Sequence, residues 1–121
     1  MMERCMVITY RGKAILYNDF TRFSFSNKKE IQATIDQGKA ELAQHSPHSL
    51  LVFTDVTGLR FDIEIVEMFR KYMVETSAKA SAVVGITGIK QFVFHGLMQT
   101  AANDVKVFNS KDEALNWLAE Q

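Results

Sequence analysis

The chain is poor in several residues that mark particular protein classes. Cys5 is its only cysteine and Pro47 its only proline among 121 residues. A lone thiol excludes an intrachain disulfide and a zinc site built from several thiolates, and it favours a reducing compartment. No apolar run approaches the roughly 18 residues of a membrane span, and the first residues lack the apolar core of a signal peptide. We therefore expect a cytoplasmic protein without a membrane span.

An excess of charge of either sign is also missing. Fourteen Lys and Arg residues balance fourteen Asp and Glu residues, so the chain has no global positive field that would attract nucleic acid or an anionic membrane. The basic residues occur singly or in pairs, and none of the pairs is interleaved with aromatic residues as in a single-strand binding groove. Nucleic acid is therefore not an expected partner.

The residues that are present are those of an ordinary globular protein. Hydrophobic residues make up 47% of the chain and charged residues 23%, which supplies both a core and a solvated surface. No repeat, low-complexity tract or linker interrupts residues 1–121. We predict that residues 1–121 form one domain in which strands and helices alternate.

Five short segments rich in β-branched, aromatic and aliphatic residues predict strands. They are residues 5–10, 13–20, 50–54, 80–86 and 105–108. Arg11 and Gly12 separate the first two segments and predict a hairpin, because glycine accepts the positive φ of a tight turn. The third segment is a continuous apolar run, which is typical of a strand covered on both faces, and the fourth is predicted to be the next buried strand.

Four helices are predicted between and after these strands, each from an N-cap residue followed by an apolar stripe. The caps are Asn27, Asp62, Thr87 and Ser110. The resulting order, β-β-α-β-α-β-α-β-α, favours a mostly parallel sheet with helices wound over it by right-handed crossovers. The fold class is therefore α/β, with an antiparallel hairpin at the N-terminus.

Hydroxyl residues and glycines follow two of the predicted central strands. Ligands of open α/β sheets bind at the carboxyl ends of strands, and free N–H groups at a helix start attract anions. Five residues would form such an anion site: Thr57, Gly58, Thr87, Gly88 and Lys90. Their simpler interpretation is structural, because helix caps and turns use the same residue types.

Catalytic and cofactor-binding motifs are not found. Asp55 has no histidine or second acid near it in the sequence to complete an acid-base pair. His45, His48 and His95 lack metal-ligand spacing, and Cys5 lies in a strand where packing explains a small thiol. We expect neither an enzyme nor a bound cofactor or metal.

Several large side chains lie off the inward stripes of their helices. Met68 and Tyr72 lie on the flank of the second helix, and Phe94 and Met98 on that of the third. Exposed apolar patches usually mark contact surfaces. These four residues therefore predict a surface for a protein partner or for a homodimer, although burial within the domain explains them as well.

Four motifs of the chain are similar to those of a known family: LVFTDVTG at 51–58, ASAVVG at 80–85, VKVF at 105–108 and EALNWL at 113–118. Through them the sequence resembles the SpoIIAA-like family of STAS (sulfate transporter and anti-sigma factor antagonist) domains, which are related in fold to the SEC14 or CRAL-TRIO lipid-binding domains. It implies a cofactor-free domain that binds a protein partner or a small ligand.

One motif of that family is missing. The antagonists place a phosphorylated serine in an Asp-Ser-Ser-Gly-like segment at the start of the helix after the central strand. The matching residues here are Phe61, Asp62, Ile63 and Glu64, and none of them has a hydroxyl group. The resemblance thus predicts a binding or regulatory module without the family's phosphoacceptor. The alternative is a carrier of a small anionic or lipid-like ligand.

Overall fold

A computed structural model describes residues 4–21, 28–59, 62–75, 78–86 and 105–121 of the chain. These residues form five strands in one sheet: β1 (Cys5–Tyr10), β2 (Lys13–Asp19), β3 (Leu51–Asp55), β4 (Ala80–Val84) and β5 (Val105–Phe108). Three helices accompany them: α1 (Lys28–Leu42), α2 (Ile63–Glu75) and α3 (Lys111–Ala119). The helix predicted to begin at Thr87 lies outside the described residues.

The sheet has the strands in sequential order, β1-β2-β3-β4-β5. β1 and β2 are antiparallel, whereas β2 to β5 are parallel neighbours. Arg11 and Gly12 have φ values of 49° and 79°, which is the pattern of a type I′ turn and matches the right-handed twist of a hairpin. The α/β fold class and the N-terminal hairpin predicted from the sequence are confirmed.

The two faces of the sheet hold separate cores because side chains alternate along each strand. One face carries Leu16, Val52 and Val83, and it packs against buried residues of α1 and α2. The other face carries Ile15, Phe53 and Ala82 and packs against α3. β4 is buried at all of its positions and β3 at all but Asp55, as predicted for strands covered on both faces.

The helices bury the stripes that the sequence indicates, with one difference. In α1 the residues predicted to face inward, Ile31, Ile35, Gly38 and Leu42, are all buried. The Ser110 side chain accepts a hydrogen bond from the Glu113 N–H and caps α3. Of the stripe predicted for α2, Ile65, Phe69 and Met73 are buried and Val66 is half-buried. α2 also buries Tyr72, which was predicted to lie at a partner surface.

Candidate functional site

Two matching stripes of α1 and α2 lie side by side on one face of the sheet. Lys28 Nζ contacts Glu64 Oε2 at 2.9 Å, and Lys39 Nζ contacts Glu75 Oε2 at 2.9 Å. Both pairs are 36 residues apart in sequence, so the helices run parallel and in the same register. Such an arrangement follows when two right-handed crossovers return on the same side of a sheet.

A surface groove of about 490 Å³ lies along these two helices. Eleven residues of helix separate its two ion pairs, which corresponds to about 16 Å. Ile35, which is buried, and Met68, which is half-buried, provide apolar lining in the middle. Acidic residues of the lining are Glu64, Glu67 and Glu75, and basic ones are Lys39 and Lys71. We call this surface the α1–α2 groove.

Ile63 is the most exposed large hydrophobic residue in the described part of the chain, with 86% of its surface accessible. It lines the α1–α2 groove where α2 begins. The Asp62 carboxylate accepts a hydrogen bond from the Ile65 N–H at 2.8 Å, which confirms the predicted helix cap. That N–H and the nearby Lys28 ammonium lower the pKa of Asp62. The exposed Ile63 side chain therefore lies beside a helix N-terminus that is capped by Asp62, whose carboxylate is paired with Lys28.

The sequence reasoning missed Ile63, although a signal was present. Ile63 stands between Asp62 and Glu64 and two residues before the first inward residue, Ile65. At 100° per residue, two positions in a helix differ by about 200°, so a residue two before the inward stripe points away from the core. An aliphatic residue at that angle lies on the side of an amphipathic helix where polar residues are expected.

The partner surface predicted on the second helix needs a correction at Tyr72. Only 1% of Tyr72 is exposed, and its hydroxyl oxygen accepts a hydrogen bond from Asn18 Nδ2 at 3.0 Å. The prediction was wrong there because Tyr72, three residues after the buried Phe69, lies on the inward face and its hydroxyl finds a partner on β2. Met68 remains at the groove, and Phe94 and Met98 lie outside the described residues.

The residues predicted to hold an anion are only partly described. Thr57 and Gly58 are exposed at the carboxyl end of β3, whereas Thr87, Gly88 and Lys90 lie outside the described residues. Gly85 packs so closely on this loop that a Cβ atom there would lie 2.6 Å from Thr57 Cα. The segments after β3 and β4 therefore meet at the carboxyl end of the parallel strands.

Two carboxylates lie at the same carboxyl end, on the neighbouring strands β2 and β3. Asp19 and Asp55 are register partners of β2 and β3. Thr57 donates its N–H and hydroxyl to Asp55 Oδ1 at 3.0 and 2.6 Å, and Thr21 donates the same two groups to Asp19 at 2.8 and 2.5 Å. The carboxylates order their own loops, and their negative charge opposes an anion beside Thr57.

The other reactive side chains of the described residues are engaged elsewhere. Cys5 is buried, its thiol donates to the Thr34 carbonyl at 3.3 Å, and burial together with the nearby Asp19 carboxylate raises its pKa to about 12. His45 lies 3.7 Å from Glu41, and His48 Nδ1 lies 3.3 Å from the Ala78 carbonyl oxygen. Both histidines precede β3, at the end of the sheet opposite Asp55.

Metal-binding clusters and membrane-spanning helices are both absent from the described residues. In this part of the chain, His, Cys, Asp and Glu side chains form no group of three or more that could hold a metal ion. The helices described here are all too short or too polar to cross a bilayer.

No protein-family model and no curated protein sequence matches the chain. Solved structures that are similar to it include the following two. An uncharacterized DUF3478-family protein with a SpoIIAA-like fold from Shewanella loihica PV-4 has a TM-score of 0.65 at 13% identity, covering 94% of this chain and 91% of its own. An anti-sigma-factor antagonist (STAS) domain protein from Planctomyces limnophilus has a TM-score of 0.55 at 16% identity, covering 95% and 97%. The chain therefore has the SpoIIAA-like α/β fold, as its sequence resemblance to STAS domains implies.

Proposed function

We propose that this chain is a non-catalytic binding or regulatory module that receives a helix of a partner protein in the α1–α2 groove. The observation that carries the proposal is Ile63, an aliphatic side chain left 86% exposed at the groove. Contiguous apolar patches rimmed by polar residues mark protein contacts, and Met68 lines the same groove as Ile63. The STAS-domain structure to which the chain is similar supports the same class of function.

The shape of the groove favours a helix over other occupants. A span of about 16 Å between the two ion pairs accommodates about three turns of helix, and a parallel helix pair offers a ready trough for an amphipathic helix. Glu64 and Glu75 are paired with Lys28 and Lys39, and Glu67 is paired with Arg70, so the charges along the groove are largely compensated. The partner helix should therefore present an apolar side chain to Ile63 and Met68, with polar residues around it.

Site-specific photo-crosslinking in the native cells identifies the partner. A photoreactive amino acid at Ile63 should capture one protein, and the same amino acid at Asp112, which is exposed on α3 across the sheet, should not. The purified partner is then titrated by calorimetry. Equal capture from both positions would argue against the groove as the contact.

Ile63→Gln removes the apolar side chain without adding charge. Full burial of such a side chain contributes about 1.5–3 kcal/mol, so the dissociation constant should rise about tenfold or more. Ser46→Gln, an exposed neutral position in the loop before β3, is the matched control and should bind like the parent. An unchanged dissociation constant for Ile63→Gln would contradict the proposal.

A carrier of a small anionic or lipid-like ligand remains the alternative prediction. The close packing of Gly85 on Thr57 supports it, because two strand-end loops meet there, and the adjacent Asp19 and Asp55 carboxylates oppose it. Titration with phosphate, sulfate and fatty-acid carboxylates tests it through the amide NMR shifts of Thr57 and Gly58. Shifts that Lys90→Ala abolishes would favour the carrier, and an absence of shifts at millimolar ligand would remove it.

A further inference from the structure

β1 forms one edge of the sheet, and half of its main-chain groups point away from β2. The two-residue turn makes Tyr10 and Lys13 register partners, and the Asp19 N–H donates to the Arg4 carbonyl at 2.8 Å. Because hydrogen-bonded pairs alternate along an antiparallel ladder, the even-numbered residues of β1 direct their N–H and C=O groups to β2. Cys5, Val7 and Thr9 direct theirs to the open side.

The sequence of β1 itself has neither the charge nor the proline that protects many sheet edges from pairing. Natural edge strands are usually very short or carry charge or proline. β5, the opposite edge, has four residues and the exposed Lys106. β1 has six residues, CMVITY, with no charge and no proline. Met6 and Val7 are 51% and 38% exposed, and they are two of the three exposed large hydrophobic residues in the described part of the chain.

We propose that β1 pairs antiparallel with β1 of a second copy of this chain, about a two-fold axis at Val7, which joins the two sheets into one. Only outward-directed residues can form hydrogen-bonded pairs across this edge. Val7 therefore lies opposite Val7 of the second copy, and Cys5 lies opposite Thr9. Three such pairs provide about six main-chain hydrogen bonds.

The same register makes the side chains complementary. Met6 lies opposite Ile8 of the second copy, on the face of the sheet where Met6 neighbours Tyr17 and Ile8 neighbours Ile15. An apolar band then runs across the two-fold axis without interruption. The paired residues of β1 carry no charge, so the two copies meet without like-charge repulsion.

The size of the contact sets the expected affinity. A standard interface buries about 800 Å² of surface on each partner, and a pair of six-residue strands buries less than that. We therefore expect a reversible dimer with a micromolar dissociation constant rather than a permanent one. The contact uses a different surface from the α1–α2 groove, so it stands whether or not the groove binds a partner.

Sedimentation velocity from about 1 µM to about 1 mM protein measures the equilibrium. The parent chain should shift from monomer to dimer over this range. Val7→Lys brings two ammonium groups together at the axis and should weaken the dimer more than tenfold, with the folded circular dichroism spectrum retained. Ile63→Lys makes the same change at an exposed aliphatic residue far from β1 and should leave the dimer intact.

A second variant tests the register and does not depend on the folding of Val7→Lys. Paired Cα atoms at the axis are about 5.5 Å apart, within the range that a disulfide spans. Val7→Cys should give a covalent dimer under mild oxidation, whereas Ile63→Cys should not, and the buried Cys5 does not compete because its pKa is raised to about 12. A parent chain that stays monomeric, a dimer that Val7→Lys leaves unchanged, or equal cross-linking of both cysteine variants overturns the proposal.

Discussion

Replacing Gly38 with alanine should destabilise the fold, although alanine is the better helix former. Gly38 lies in α1 against the buried Tyr72 of α2. An added Cβ would overlap the Tyr72 hydroxyl oxygen and would lie 3.0 Å from its Cζ and 3.2 Å from Asn18 Oδ1. These atoms belong to a buried polar cluster in which Asn18 Nδ2 donates to Tyr72 Oη and to Thr54 Oγ1.

The expected magnitude is the sum of opposing effects. Glycine to alanine in a helix interior stabilises by about 1 kcal/mol. Overpacking a core costs about 1–3 kcal/mol, and displacing Tyr72 from Asn18 costs roughly 0.5–1.5 kcal/mol for the hydrogen bond. We therefore expect Gly38→Ala to lower the free energy of unfolding by roughly 0.5–3.5 kcal/mol.

Tyr72→Phe tests whether the hydroxyl is the obstacle. By itself this change should cost about 1 kcal/mol, because it removes a buried hydrogen bond. In the double variant the Cβ no longer meets Oη, but its 3.0 Å contact with Cζ remains. The rescue should therefore be partial, with the double variant less destabilised than the sum of the single changes by about 1–2 kcal/mol.

Urea unfolding followed by the fluorescence of Trp117, the only tryptophan, measures the free energy of unfolding of the parent chain, of the two single variants and of the double variant. Gly12→Ala is the control, because nothing lies within 4 Å of the Cβ it would add, and its effect should add to that of Tyr72→Phe. Additive effects for Gly38→Ala and Tyr72→Phe, or a stabilising Gly38→Ala, would refute the packing argument.

Three further predictions concern other parts of the fold. Gly85→Ala should destabilise the fold by about 1–3 kcal/mol, because the added Cβ overlaps Thr57 in addition to the backbone strain at a φ of 101°. Gly58→Ala has a strained φ but open space around the added Cβ. A thermal transition of Gly85→Ala no lower than that of Gly58→Ala would contradict this prediction. Ser110→Ala should cost about 1 kcal/mol in urea unfolding, because it removes the cap of α3; an unchanged midpoint would show that the cap contributes nothing. Native Cys5 should resist thiol reagents near pH 8 and react once unfolded, since its thiol stays protonated. Full labelling of Cys5 in the native protein would contradict its burial. The free energy of unfolding should also fall as the pH rises from about 9 towards 12, because in this range only the unfolded chain releases the Cys5 proton.

Local sequence patterns predicted the elements closely. The predicted strand at 105–108 matches β5 residue for residue, and the other strand bounds agree within one or two residues. Alternation, turn glycines and helix caps are local signals, since each depends on neighbours within about four residues. The caps at Asp62 and Ser110 are therefore confirmed, as is the hairpin turn at Arg11 and Gly12.

The groove was not predictable in the same way. Met68 and Tyr72 are both large residues at the flank of one helix, yet Tyr72 is buried and Met68 lines the groove. What separates them is Asn18, 54 residues before Tyr72, whose amide meets the tyrosine hydroxyl. A pattern along one helix carries no information about a hydrogen-bond partner on another element.

The amino-acid sequence by itself determined the elements, their order, the parallel sheet with its leading hairpin, and the absence of a phosphoacceptor between residues 61 and 64. These follow from periodicity, turn chemistry and residue identity, which are local properties. Only the tertiary structure decided that α1 and α2 lie in matching register, that Tyr72 is buried whereas Met68 lines the groove, and that β1 is an edge strand of the described sheet. Each of these depends on contacts between residues distant in sequence, because the packing of helices on the sheet decides which side chains remain at the surface.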